Sequence, residues 1–261
     1  MDEVQEGTRD RLTPWYVDSF GSDYLTLYSH RDDDEARSDV RGIIKMLSPR
    51  RDASLLDLAC GAGRHLLALH RAGFCHLVGL DLSTQLLAAA ARRLAAAGAS
   101  HVQLIHGDMR SPPREQRFAT ILSLFTSFGY FPEDEENLQV LRGAYEALLP
   151  GGLLLVDTLN APAAVAALVP SERRTHNGLD LRITRRYDAA RRRLEKETRV
   201  VRDDGGPHTF RESVRVYDAS ELGDALIAAG FDDVECFGSL HGASYDEHSQ
   251  RLVAVGRRAA E

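Results

Sequence analysis

The chain has 261 residues, of which 43% are hydrophobic and 27% are charged. These proportions are typical of a globular protein and exclude a disordered or fibrous chain. No segment approaches the roughly 18 uninterrupted apolar residues that cross a bilayer, so we expect no membrane contact. The first residues are polar and of mixed charge, which predicts neither a secretory signal nor a transit peptide.

Charge and cysteine content narrow the classes of protein further. The formal net charge of −7 disfavours general nucleic-acid binding, although residues 172–202 are locally basic. Cys60, Cys75 and Cys236 are too few for a disulfide framework, so we expect reduced thiols and a cytoplasmic protein. The histidines and cysteines show no spacing typical of zinc ligands, and we expect no metal.

Helical and apolar segments alternate along most of the chain. The helical segments predicted from period and flanking residues are 32–47, 64–72, 84–97 after a Ser83 cap, 133–148 and 220–229. The strands predicted from short apolar runs are 54–59, 76–80, 102–105, 118–125, 153–157, 233–237 and 251–255. This alternation predicts an α/β fold with a mostly parallel sheet and helices on both faces.

The pattern changes after residue 160. Segments 179–187, 194–202 and 208–217 have the composition of strands, and in the first of them apolar and polar residues alternate. Alternation of this kind indicates a strand with one buried and one solvated face. The sequence therefore predicts a small antiparallel β insertion within the α/β fold, with acidic and basic residues paired on its solvated face.

A glycine-rich turn follows the first predicted strand. Gly61 and Gly63 lie at the edge where open α/β sheets bind ligands, and glycine lets backbone N–H groups approach a ligand closely. A dinucleotide fingerprint would require glycine where Leu66 stands, and no Gly-Lys-Ser/Thr sequence follows. A ligand held by its pyrophosphate is therefore disfavoured.

Two acidic residues follow the next two strands. Asp81 ends the second predicted strand, where a carboxylate can accept hydrogen bonds from both ribose hydroxyls; its alternative role is to cap the following helix. Asp108, with Met109 beside it, follows the third strand, where it can accept from an adenine amino group. A glycine turn with these two acids describes a site for a nucleoside without phosphates, and S-adenosylmethionine has this chemistry.

Five segments carry a resemblance to a known family. They are LLDLACGAGRH (55–65), VGLDLS (78–83), HGDM (106–109), ILSLFTSFGYF (121–131) and LLPGGLLLVD (148–157). In this order they resemble the class I S-adenosylmethionine-dependent methyltransferases, over residues 50–160 and 218–258. The resemblance implies a Rossmann-like sheet of seven strands, mostly parallel, with an antiparallel last strand.

The resemblance also implies a set of cofactor-binding residues. In this sequence they are Asp57 near the methionine amino group, Ala59, Cys60, Gly61 and Gly63 along methionine and ribose, Asp81 on the ribose, Leu82, Asp108 and Met109 around the adenine, and Leu124 and Phe125 beside the sulfonium. Ala59 departs from the family, which often has glycine at that position.

The acceptor side has weaker signals. The resemblance is to small-molecule methyltransferases with a β insertion after strand five. It implies a methyltransferase core over 1–159 and 218–261, of which 1–33 form an N-terminal lid. It also implies that the insertion, 160–217, covers the acceptor site. The candidate acceptor residues are Tyr24, Tyr28, His30, Ser127, Tyr130, Asn160 and Tyr245. No catalytic residue is required by methyl transfer itself, and the only candidates are Tyr16, His65 and His241. His65 is otherwise expected to be a partly exposed helix residue.

Three functions remain open on the sequence alone. The first is transfer of a methyl group by in-line displacement to an N or O atom of a small molecule. The second is methylation of RNA, with phosphates held by the basic insertion through Arg182, Arg186, Arg191, Arg192, Arg193 and Arg199. The third is a non-catalytic sensor of S-adenosylmethionine. A homodimer formed through the inserted sheet is also possible.

Overall fold

The computed structural model describes residues 14–18, 33–176, 178–201 and 208–260. Its strands are β1 (Ser54–Leu58), β2 (His76–Asp81), β3 (Gln103–His106), β4 (Phe118–Ser123), β5 (Leu148–Leu159), β6 (Ser171–His176), β7 (Leu179–Asp188), β8 (Arg193–Val201), β9 (His208–Arg215), β10 (Asp232–Phe237) and β11 (Arg251–Arg257). Seven of them form one sheet in the order β10-β11-β5-β4-β1-β2-β3. The last strand, β11, runs antiparallel to both β10 and β5, which confirms the expected sheet.

Helices cover both faces of this sheet. The described helices are α1 (Trp15–Asp18), α2 (Asp33–Leu47), α3 (Arg64–Arg71), α4 (Thr84–Ala96), α5 (Asp134–Ala147), α6 (Ala161–Ala166) and α7 (Ala219–Ala228). Apolar residues of α2, α3 and α4 share one buried cluster with β1, whereas those of α5 and α7 lie in a second cluster on the opposite face. None of the described helices is long and apolar enough to span a membrane.

Helix ends follow the expected capping chemistry. The Ser83 side chain accepts a hydrogen bond from the Leu86 N–H, so the predicted cap of α4 is confirmed. At α7, Asp218 accepts from the Glu221 N–H and Glu221 accepts from the Asp218 N–H. Each such pair satisfies backbone donors that the first helical turn leaves free.

A second sheet contains β6, β7, β8 and β9 in sequential antiparallel order. Leu181, Ile183 and Val200 form a small buried cluster on one face. The acidic and basic side chains of this sheet pair with each other in the ion pairs Arg185–Glu172, Arg186–Glu195, Lys196–Glu212 and Arg199–Glu197. The predicted two-faced antiparallel sheet is thus confirmed, with one strand more than expected.

The structure differs from the sequence prediction in one additional strand, β6, and in the ends of β4 and β5, and each difference has a local cause. Segment 171–176 (SERRTH) contains no apolar residue, so it gives no alternation from which β6 could be predicted. The fourth strand ends at Ser123, earlier than predicted, because Phe125 and Thr126 have φ values of 59° and 63°. The fifth begins at Leu148, since the Pro150-Gly151-Gly152 segment continues into the strand.

Candidate active site

A narrow slot opens at the carboxyl ends of β1, β2 and β3. Its cavity volume is about 90 Å³, and two of the described residues that line it are acidic, Asp81 and Asp108. No lysine, arginine or histidine is among those lining residues. Leu82, with 37% of its surface exposed, and the buried Met109 both line the slot. A mostly apolar lining with two carboxylates suits an uncharged ring system and hydroxyl or amino donors.

Asp81 is fixed at the mouth of the glycine turn. Its carboxylate accepts hydrogen bonds of 2.8 Å from the Gly61 N–H and 2.8 Å from the Ser83 N–H. Burial raises the pKa of Asp81 above its ordinary value, and these backbone donors partly oppose that shift. The cap of α4 is Ser83 itself, so Asp81 does not cap the helix directly. Its carboxylate instead ties β2 to the turn after β1 and holds the N–H of the capping residue.

Asp57 lies in β1, directly beneath the turn. It is 1% exposed, and its Oδ2 atom has no hydrogen-bond partner among the residues that the structure describes. Burial, with a smaller contribution from the nearby Asp81 carboxylate, raises the pKa of Asp57 to about 8. A buried carboxyl group without a partner is costly unless it is protonated or meets a cation. Asp57 thus provides a position where a cationic group would gain a counter-ion.

The turn between Asp57 and α3 has an unusual backbone. Ala59, Gly61 and Gly63 have φ values of 58°, 54° and 73°, the left-handed region that favours glycine. A Cβ on Gly63 would lie 3.0 Å from the Cβ of Ala90, so the close approach of α4 also requires glycine there. At Ala59, where the family often has glycine, the methyl group is accommodated at a strain of about 1 kcal/mol.

Asp108 is already engaged by a cation. Arg110 donates to its carboxylate at 2.6 and 3.1 Å and also contacts Glu136 at 2.5 Å. This pairing holds Asp108 in place at the edge of the slot. Tyr16 closes the slot from α1, with its ring 5.2 Å from that of Phe131, and partial burial raises the pKa of its hydroxyl group.

A wider cleft lies beyond the carboxyl ends of β4 and β5, with a volume of about 830 Å³. Asp157 lies at its base, 2% exposed, and accepts a 2.9 Å hydrogen bond from the Phe125 N–H. Arg251 contacts Asp157 at 2.7 Å and donates to Thr126 at 3.0 Å. Burial raises the pKa of Asp157, and the charge of Arg251 partly offsets this rise.

His65 was expected to be partly exposed, and that prediction is wrong. It is 5% exposed, and its Nε2 atom lies 3.1 Å from the Asp39 carboxylate. Burial lowers its pKa and the hydrogen bond to Asp39 opposes this effect. Asp39, not His65, lines the cleft. His241 also lines the cleft, with its Nε2 atom 3.3 Å from the Ser38 hydroxyl.

The proposed site residues are distributed over three places. Those that line the slot are Tyr16, Ala59, Asp81, Leu82, Asp108, Met109, Ser127 and Tyr130. Phe125 and His241 line the cleft. Asp57, Cys60, Gly61, Gly63 and Leu124 support these cavities without being among their lining residues. Tyr24, Tyr28 and His30 lie outside the described residues.

Two acceptor candidates have structural roles instead. The Asn160 side chain is fully buried and donates to the carbonyl groups of Asp246, Glu247 and Ser249 at 2.8–3.2 Å. The Tyr245 hydroxyl donates to the remaining amide oxygen of Asn160 at 2.9 Å. With its polar atoms satisfied and no exposed surface, Asn160 has nothing left for an acceptor, and Tyr245 holds it there.

Sequence reasoning missed Asp39, Asp157 and Arg251. Asp157 did carry a signal, because it ends an apolar run in the same way as Asp81. The sequence carried no such signal for Arg251 or Asp39, because only packing across the sheet brings them close to Asp157. No group of three or more histidine, cysteine or acidic residues within the described ranges is placed to hold a metal ion.

Comparison with known proteins agrees with this architecture. Residues 55–152, which include β1 to β4 and the glycine turn, match the model of a family described as "Methyltransferase domain". This part of the chain is therefore similar to methyltransferase domains.

Relatives and solved structures extend this result. A dTDP-3-amino-3,4,6-trideoxy-alpha-D-glucopyranose N,N-dimethyltransferase from Streptomyces venezuelae is 35% identical over 46% of this chain and 48% of its own length. A methyltransferase from Streptomyces caelestis, CcbJ, has a TM-score of 0.78 at 22% identity, covering 93% of this chain and 98% of that one. An amino pentose methyltransferase from Micromonospora echinaspora has a TM-score of 0.64 at 25% identity, covering 90% and 96%. The chain spans about half the length of the curated relatives it matches first, whereas the fold is shared over nearly the whole of both structures.

Proposed function

We propose that the chain is a methyltransferase, which binds S-adenosylmethionine in the slot and transfers its methyl group to a small molecule in the cleft. The observation that carries this proposal is the lining of the slot, where the described residues present two carboxylates and no basic side chain. A phosphate-bearing cofactor would need positive charge or free backbone donors there. An adenosyl group needs acceptors for hydroxyl and amino groups, which Asp81 and Asp108 supply.

Each residue around the slot has a role in binding. Asp81 accepts from ribose hydroxyls, and Leu82 and Met109 pack on the adenine. The Asp57 carboxyl group, whose Oδ2 atom has no hydrogen-bond partner among the described residues, pairs with the positive charge of the methionine part. The bound cofactor supplies an activated methyl carbon. What remains for the protein is to align the acceptor and exclude water, and such alignment can supply several kcal/mol of catalysis.

We assign the cleft to the acceptor and an amino group as the atom methylated. Glu35, Asp39 and Asp157 give the cleft more negative than positive side chains, with Arg251 as the one arginine among its described lining residues. Such a surface favours an amine over an anionic acceptor. The N,N-dimethyltransferase relative, whose name specifies an amino sugar, supports the same assignment. Residues 160–217 would cover this side through α6, which lines the cleft.

The cofactor assignment is tested by calorimetry on the whole chain. We expect S-adenosylhomocysteine to bind and NAD to show no binding under the same conditions. Asp81→Ala should weaken S-adenosylhomocysteine at least tenfold because ribose hydroxyls lose their acceptor, and Asp81→Asn should weaken it less because one acceptor oxygen remains. Binding of NAD instead, or equal affinity in all three proteins, would refute the assignment.

The acceptor assignment is tested with labelled S-adenosylmethionine and paired compounds. The compounds are amino sugars, either free or attached to a nucleoside diphosphate. Each is compared with an analogue in which a hydroxyl group replaces the amine. We expect label only in the amines. Transfer to the hydroxyl analogues would overturn the assignment of nitrogen as the methylated atom. A metabolite extract is tested in the same way. If the protein binds S-adenosylmethionine but transfers no label to any fraction of the extract, the non-catalytic sensor is favoured.

We further propose a cytoplasmic location, which suits three free cysteines. The homodimer stays a prediction, and size-exclusion chromatography with light scattering tests it.

A further inference from the structure

An arginine of the inserted sheet is buried against the loop that walls the slot. Arg193, the first residue of β8, is 5% exposed. Its guanidinium group donates to the carbonyl oxygens of Phe131 at 2.8 Å, Tyr130 at 3.1 Å, Gly129 at 3.3 Å and Ser213 at 2.5 Å, and to the Ser213 hydroxyl at 2.8 Å. One side chain thus binds three successive carbonyl groups of the loop between β4 and α5.

The same loop is held by β9 next to Arg193. The Arg215 N–H donates to the Gly129 carbonyl at 2.8 Å. Gly129 has a φ of 98°, and a Cβ there would lie 2.3 Å from the Arg215 carbonyl oxygen. Glycine is therefore required for this close backbone approach, and the loop has little room to move away from the sheet.

Burial of Arg193 is not explained by an ion pair. Within the described parts of the chain it forms no salt bridge. Burial lowers its pKa, and the charges of Tyr217, Asp134 and Glu195 partly oppose this shift. A buried cation is costly unless its donors are satisfied. Here the carbonyl oxygens satisfy them, and the planar fork of five N–H groups matches this set as a lysine ammonium group could not.

The residues that Arg193 holds are those that shape the slot. Tyr130 and Phe131 both line it. The helix α1 rests on the same pair, with Trp15 4.9 Å from the Tyr130 ring and Tyr16 5.2 Å from the Phe131 ring. The position of this backbone therefore determines both one wall of the slot and the place where α1 closes it.

We propose that Arg193 is a positioning residue for the slot, through which the inserted sheet fixes the 129–131 backbone and so sets the affinity for the nucleoside. The four-stranded sheet itself contributes no described side chain to the lining of the slot or the cleft. Its influence passes through Arg193 and the loop. The identity of the nucleoside rests on the proposed function, but the positioning itself does not.

The test compares Arg193→Met and Arg193→Lys with Arg199→Met. Arg199 is a matched control, because it lies on the same strand, is 56% exposed and pairs with Glu197 on the surface. Trp15 is the only tryptophan of the chain, so its emission reports the contact with Tyr130. Without ligand, we expect emission at longer wavelength in Arg193→Met, a smaller shift in Arg193→Lys, and wild-type emission in Arg199→Met.

Affinity for S-adenosylhomocysteine is then measured well below the unfolding temperature of each protein. We expect about tenfold weaker binding in Arg193→Met, partial recovery in Arg193→Lys, and no change in the control. Wild-type emission and affinity in Arg193→Met, whatever its stability, would overturn the proposal. If that variant does not fold, wild-type behaviour of Arg193→Lys would overturn it equally. If the wild type binds no S-adenosylhomocysteine, the proposed function fails, and the emission without ligand still decides the role of Arg193.

Discussion

The carboxyl group of Asp57 lies 1% exposed beneath the glycine turn, and burial raises its pKa to about 8. Its position at the end of an apolar strand could be predicted from the sequence. Its protonation could not, because it depends on how deeply β1 is buried and on the approach of Asp81. In the free protein, the raised pKa favours folding at low pH, and this contribution is lost between about pH 4 and pH 8.

This pKa predicts that binding of S-adenosylmethionine depends on pH. A positive charge near Asp57 favours the ionised carboxyl group, so below pH 8 binding must expel a proton. The affinity should therefore rise by up to tenfold per pH unit toward pH 8 and become level above it. Calorimetry in buffers of different ionisation enthalpy measures the protons released.

Asp57→Asn is the matched control for this linkage, because it keeps the shape and removes the titration. It should bind more weakly above pH 8 and show only the pH dependence of the ligand itself. If the wild type and Asp57→Asn release the same number of protons at pH 7, Asp57 does not meet the charge of the cofactor.

Substitution of two glycines with similar φ values distinguishes backbone strain from steric contact of the added Cβ with its neighbours. Gly63 and Gly98 have φ values of 73° and 74°, but only Gly63 has a neighbour, Ala90, where its Cβ would lie. Gly98→Ala should lower the free energy of unfolding by about 1 kcal/mol, and Gly63→Ala by about 2 kcal/mol or more. Urea unfolding checks both values, and equal losses would contradict the close packing of α3 and α4.

At the scale of elements, apolar runs located most strands of the main sheet, and helical period with flanking residues located the five longer helices. The short helices α1 and α6 were missed, because four and six residues are too few to show a helical period. Segment 171–176 could not be found in this way, since β6 is held by pairing with β7 and not by buried side chains of its own. The cleft that we assign to the acceptor also could not be predicted from the sequence. Its walls come from α2, β5 and β11, which are far apart in the chain, and only packing brings Asp39, Asp157 and Arg251 together.

The junction between β5 and the loop before β11 depends on Asn160. Asn160→Ala leaves three carbonyl groups and the Tyr245 hydroxyl without their partner, so the free energy of unfolding should fall by about 3 kcal/mol. Tyr245→Phe removes one of these bonds and should cost about 1 kcal/mol. Chemical denaturation of both variants checks this order, and a smaller loss in Asn160→Ala than in Tyr245→Phe would contradict it.

At the scale of the molecule, many arginines of the basic insertion already have partners within the protein. Arg186 and Arg199, two of the arginines considered for RNA, pair with Glu195 and Glu197, and Arg193 is buried against carbonyl groups. Arg192 pairs with Glu221, so four of the six arginines considered for RNA are already engaged. We therefore expect no binding of mixed RNA even at low salt, and binding that weakens steeply with added salt would revive the RNA methyltransferase.

The central claim is that this edge of the sheet binds an adenosyl group without phosphates. It rests on the slot and its two carboxylates. A crystal structure of the complex with S-adenosylhomocysteine tests it most directly. The account predicts the adenine between Leu82 and Met109, the ribose hydroxyls on Asp81, and the amino group of the ligand toward Asp57. A nucleoside bound at any other place, or one whose ribose makes no contact with Asp81, would contradict it.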